Sequence, residues 1–113
     1  MRKLLAVNLF FIGNVSADLV GHWLFNEGNG TIYADSSKNK NDASVTTSTA
    51  WSTEIPATSF ANSSSLDLDG TTQYLDTTYV GIAGSAPRTV SFWMKTTMTG
   101  ANGIIAWGNS TSN

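Results

Sequence analysis

The chain has no cysteine and a single histidine, His22, among its 113 residues. The missing thiols exclude a disulfide scaffold, a cysteine-based zinc site, a thiol nucleophile and a lipidated N-terminal cysteine. One imidazole without a serine–acid framework makes neither a catalytic triad nor a zinc centre. Charge is also scarce: charged side chains make up 12% of the chain, about half the share of an ordinary soluble domain. Long solvent-facing helices with Glu/Lys-rich outer faces are therefore not expected. A net charge of −2 gives no counterion-release drive towards nucleic acid, so none is expected as a partner. The length allows one small domain at most.

The N-terminus has an order of its own. Met1-Arg2-Lys3 is basic, Leu4 to Ile12 is apolar except for Asn8, and Val15-Ser16-Ala17 puts small residues at −3 and −1 of a cut before Asp18. That is the grammar of a secretory signal peptide, and the alternative is an N-terminal core strand or helix. The apolar run is shorter than the ~20 residues a membrane-crossing helix needs. Residues 1–17 are read as a signal peptide, so the mature chain, residues 18–113, is expected outside the cell or at its surface, with no transmembrane segment.

The mature part has 8 acidic and 4 basic residues, all four tryptophans, and 28 serines and threonines. Thr, aromatic and β-branched residues favour strands, whereas Ser, Asn and Gly favour turns. The first strand is expected over Leu19-Val20-Gly21-His22-Trp23-Leu24-Phe25, stopped by the turn Gly28-Asn29-Gly30. A short return segment follows at residues 31–34, and Asp35 to Asp42 is a polar loop. Residues 43–65 have no clear period, but Val45, Trp51, Ile55 and Phe60 are spaced as anchors of short strands or a pinned loop. Leu66-Asp67-Leu68-Asp69-Gly70 alternates into a turn, and Tyr74 to Thr77 is a further strand. The clearest period-two pattern is Arg88 to Thr97, with Val90, Phe92 and Met94 on one face and Ser91, Trp93 and Lys95 on the other. Ile104 to Trp107 is its expected hairpin partner. About six short strands without an apolar 3.6 period predict an all-β antiparallel sandwich or jelly roll.

Four stretches in order resemble the laminin G-like branch of the concanavalin A-like lectin/glucanase superfamily. They are Leu19 to Thr31, Ala34 to Asp42 (with Lys38 where glycine is usual), Leu66 to Gly70 with Tyr74-Leu75, and Arg88 to Thr97 leading to Ile104-Ile105-Ala106-Trp107-Gly108. The resemblance covers residues 18–113 but matches only the first part of such a domain, so an incomplete jelly roll is expected. A half-length piece leaves strand edges and apolar faces uncovered. Trp23, Trp93 and Trp107, which belong to strands and hence to the core, would then be partly exposed.

The function that the resemblance implies is a secreted, non-catalytic binding or adhesion module for a glycan or an extracellular protein. Two alternatives stay open: a fragment of a secreted polysaccharide-active enzyme (glycoside hydrolase or lyase), and a purely structural surface-protein domain. Glycoside hydrolysis needs two carboxylates flanking the scissile bond. The superfamily's hydrolase branch carries an E-x-D-x-x-E cluster that this chain lacks. Asp67 and Asp69 could pair across one strand face, but Asp69 before Gly70 is more simply a turn cap. No catalytic residue is assigned.

Asp35, Ser37, Asn39, Asn41 and Asp42 gather oxygen donors suited to a hard cation such as Ca²⁺. The resemblance implies Asp35 and Asp69 as ligands. The candidate metal set is Asp35, Asn39, Asn41 and Asp69, with Lys38 and Lys40 as opposing charges. The competing reading is a solvated loop held by side-chain-to-backbone hydrogen bonds. Trp51 and Tyr79 stand in loop-like contexts and are the candidate ligand-binding aromatics. The sequons Asn29-Gly30-Thr31, Asn62-Ser63-Ser64 and Asn109-Ser110-Thr111 arise readily by chance in so Ser/Thr-rich a chain, and matter only in a host that glycosylates.

Overall fold

In the computed structural model the described residues are 4–6, 9–13, 18–45, 47–82, 84–100 and 103–107. Among them there is no helix, hence none long and apolar enough to cross a membrane. The strands are β1 (Leu4–Ala6), β2 (Leu9–Gly13), β3 (Asp18–Trp23), β4 (Ile32–Tyr33), β5 (Ala43–Val45), β6 (Ala50–Ser52), β7 (Ser65–Leu68), β8 (Leu75–Thr77) and β9 (Thr89–Ser91). They form three antiparallel three-stranded sheets, ordered β1-β7-β6, β3-β2-β9 and β4-β5-β8. The chain is all-β, as its composition predicts.

A single apolar cluster serves all three sheets. Trp23, Phe25, Tyr33, Ala43, Leu66 and Leu68 are buried, and Val20, Val45, Trp51, Leu75, Val90 and Ile105 pack against them. Strand alternation explains the choice on β7: Leu66 and Leu68 point inward while Asp67 between them is half-buried. Ser65, also buried, is tolerated because its hydroxyl donates to the Glu54 carbonyl at 2.7 Å. The Tyr33 ring meets Phe25 edge-on at 5.7 Å and Trp51 in a tilted contact at 5.6 Å.

The sequence misplaces several strand ends. The first strand stops at Trp23 because Phe25 takes the left-handed backbone region (φ 52°), which turns its ring onto Tyr33. A bulky residue holds such a φ only where its surroundings enforce it. The strand expected from Arg88 to Thr97 is confined to Thr89–Ser91, the three residues that pair with Phe10, Phe11 and Ile12 of β2. Among the described residues after Ser91, 92–100 and 103–107, none joins a ladder, so the alternation forms no strand there. Trp93 and Trp107 are accordingly exposed, at 51% and 40%, whereas Trp23 is buried.

The apolar N-terminal run also takes part in the sheets. Its backbone pairs as β1 with β7, and as β2 between β3 and β9. The expected cut after Ala17 falls in residues 14–17, outside the described residues.

Gly21 fixes the position of the central indole. A Cβ there would lie 2.3 Å from Cη2 and 2.6 Å from Cζ3 of Trp23, in a ring that is itself buried and cannot swing away. Gly21→Ala is expected to lower unfolding free energy by about 1–3 kcal/mol through overpacking. Ser44→Ala on the exposed face of β5 should stay within ~0.5 kcal/mol. Urea denaturation midpoints of the two variants check this, and a neutral Gly21→Ala would refute the close approach.

Candidate functional site

The polar segment 35–42 folds back on β3 and is held there by the Asp35 carboxylate, whose residue is 1% exposed. Its Oδ1 accepts the backbone N–H groups of His22 and Ser37, both at 2.8 Å. Its Oδ2 accepts the Asn41 N–H and the Ser37 hydroxyl, again at 2.8 Å. The Asp35 N–H in turn donates to Asp42 Oδ1 at 2.9 Å, and Ser36 N–H donates to the His22 carbonyl at 2.7 Å. Burial alone would raise the carboxyl pKa, but the donors from His22, Ser37 and Asn41 outweigh it and hold it below the usual aspartate value.

Asn39 and Asn41 extend the clasp as donors. The Asn39 amide nitrogen reaches the carbonyls of Leu19 (3.1 Å) and Val20 (2.9 Å), and that of Asn41 reaches Val20 at 3.3 Å. Trp23 is tied to the same loop, its indole N–H donating to the Asn41 carbonyl at 3.0 Å. Lys40 places its ammonium 3.4 Å from the Asp35 carbonyl and itself has a left-handed backbone (φ 55°). The Lys38–Asp18 ion pair, at 3.0 Å with both side chains about two-thirds exposed, adds little.

Asp69 closes a separate turn. Its Oδ1 accepts the N–H groups of Thr71, Thr72 and Gln73 at 2.8–3.0 Å, while Oδ2 accepts the Thr72 hydroxyl at 2.6 Å. The Thr72 hydroxyl, followed by these amides, pulls its pKa well below the ordinary carboxylate range. Gln73 completes the turn by accepting from Asp69 N–H and donating to the Ser48 carbonyl.

The residues named for a cation thus fall into two places. Asp35, Asn39 and Asn41 meet in the clasp, and Asp69 caps its own turn after β7. Each carboxylate already accepts four protein donors, so a cation there would have to displace them. Among the described residues no three His, Cys, Asp or Glu side chains are grouped to hold a metal. Of the glutamates, Glu27 Oε1 accepts the Ala34 N–H at 2.9 Å, and Glu54 makes an exposed ion pair with Lys95 at 3.1 Å.

The aromatics are sorted otherwise than the sequence suggests. Trp51 and Tyr79 are half-buried. Trp51 packs on Tyr33 with its indole N–H buried and unpartnered. The more exposed large rings are Tyr74, Trp93, Phe60 and Trp107. Trp107 is held in place: the Arg88 guanidinium lies 5.3 Å over its ring, and a Cβ on Gly81 would be 3.0 Å from the Trp107 Cβ. Arg88 is pinned by the carbonyls of Ile82, Gly84 and Ala86. Arginine above tryptophan is a favourable cation–π contact. No periodicity could have revealed it, because it pairs residues 88 and 107, which share no strand ladder.

Comparison with family models, curated proteins and solved structures finds no match to this chain.

The clasp has a pH signature. A carboxyl with a lowered folded-state pKa stabilises the fold above the unfolded value of about 4 and loses that contribution as pH falls further. Thermal melts from pH 7 to pH 2 should therefore drop below about pH 4, and Asp35→Asn should flatten the drop. Asp35→Ala leaves three backbone N–H groups without their acceptor and is expected to cost at least about 2 kcal/mol at pH 7. Calcium or EDTA should leave the melting temperature of the parent chain unchanged; a calcium-dependent rise would assign an ion to this loop.

Proposed function

We propose that the chain is the N-terminal part of an exported laminin G-like jelly roll and works as a non-catalytic binding or adhesion module. Its ligand is a glycan or an extracellular protein. The observation that carries the reading is the outward presentation of Trp93 and Trp107, at 51% and 40% exposure, beside a core that is already served by Trp23. An indole offers a flat apolar face to the C–H side of a sugar ring, and tryptophan is enriched at the centres of protein interfaces. Trp107 is pre-positioned by Arg88 and Gly81, which lowers the ordering cost of binding.

The carboxylates support the non-catalytic side of the proposal. Asp35 and Asp69 are engaged by backbone donors, and an acid–base pair needs carboxyls directed at a substrate. Export rests on the leader-like order of residues 1–17; their removal would leave β3 and β9 without β2, and β7 without β1.

Glycan-array and extracellular-protein-array binding of the exported chain tests the reading. Trp93→Ala is expected to weaken the bound ligand about tenfold, equivalent to ~1.4 kcal/mol, while leaving the melting temperature unchanged; Trp107→Ala should weaken it similarly and also lose about 0.5–1 kcal/mol of stability with the Arg88 contact. A hit on one array decides between glycan and protein. Absence of binding on both, or hydrolysis of an arrayed polysaccharide, would defeat it.

A further inference from the structure

The turn between β3 and β4 carries a sequon in an open setting. Asn29 and Thr31 are both exposed, and the asparagine is flanked by Gly28 and Gly30 with φ of 72° and 87°. A Cβ built on either glycine meets nothing within 4 Å, so the space on both sides of Asn29 is empty. Asn62 is the opposite case: its amide oxygen and nitrogen are both buried and unpartnered. The segment around Asn62 is tied to the chain just past β3, where Ser64 donates to the Phe25 carbonyl at 3.3 Å. Asn109 lies outside the described residues.

We propose that Asn29 is an N-glycan acceptor of the exported chain and that Asn62 is not. The inference rests on the export reading above. The co-substrate is a polyprenyl-diphosphate-linked oligosaccharide. The Asn29 amide nitrogen forms a bond to sugar C1 as the C1–O bond to the diphosphate breaks. The electron pair leaves with the polyprenyl diphosphate, and one amide proton passes to a base. Thr31 supplies the hydroxyl at +2 that completes the acceptor motif. A bulky polar glycan is tolerated at this position because it projects from an exposed turn. On Asn62 it would have to be accommodated where the amide is already enclosed.

The test is intact-mass and glycopeptide analysis of the full chain recovered from its own source, with variants made in the same cells. The expected result is a glycan on the Asn29 peptide, an N-terminus at Asp18 and an unmodified Asn62 peptide. The Asn29 glycan should disappear in Asn29→Gln and in Thr31→Ala, while the melting temperature of the deglycosylated chain matches that of Asn29→Gln. A chain that begins at Asp18 with Asn29 bare overturns the proposal and leaves export standing. A bare chain retained in the cytosol with residues 1–17 attached overturns both. A glycan on Asn62 overturns the discrimination drawn from burial.

Discussion

One buried carboxylate holds the described core together. Asp35 is removed from water, a placement that costs several kcal/mol for an uncompensated ion, and it remains charged because three backbone N–H groups and a hydroxyl converge on it. Those donors come from β3 and from both sides of the loop 35–42, so the carboxylate fixes the strand and its covering loop as one unit. Trp23 depends on the same unit, with its indole N–H satisfied by the Asn41 carbonyl. The largest core side chain is thereby buried without an orphaned donor. Loss of the charge would loosen the loop and the indole together.

Around that clasp, packing rests on a few backbone allowances. Gly21 lets the Trp23 ring lie against β3, and Phe25 accepts a left-handed conformation so that its ring reaches Tyr33. Strain at Phe25 is offset by the burial of its own side chain. The three sheets are short, and what makes them one body is the shared cluster that each lines with one or two fully buried side chains. The N-terminal apolar run fills the middle of one sheet and the edge of another. Removal of residues 1–17 would separate β3 from β9 and uncover the edge of β7.

The division of labour among polar and aromatic groups follows. The Asp35 and Asp69 carboxylates each accept several amides and a hydroxyl within their loops. Trp93 and Trp107 stay exposed, whereas Trp23, Phe25 and Tyr33 fill the core. Trp107 lies under the Arg88 guanidinium and against Gly81.

The sequence alone determined the all-β class, the turns and much of the strand order, because alternation and Gly/Asn-rich breaks act over a few residues. Leu66-Asp67-Leu68 and Tyr74 to Thr77 could be read that way with ends wrong by a residue. The acidic, amide-rich loop was also visible, but not whether its oxygens face an ion or the backbone. That depends on donors from His22 and Asn41, which only the folded chain brings to Asp35. Strand formation after Ser91 and the exposure of Trp93 and Trp107 were likewise settled by tertiary structure. A period-two pattern states which faces are apolar, whereas a strand exists only where another strand supplies hydrogen bonds, and an indole is buried only where neighbours cover it.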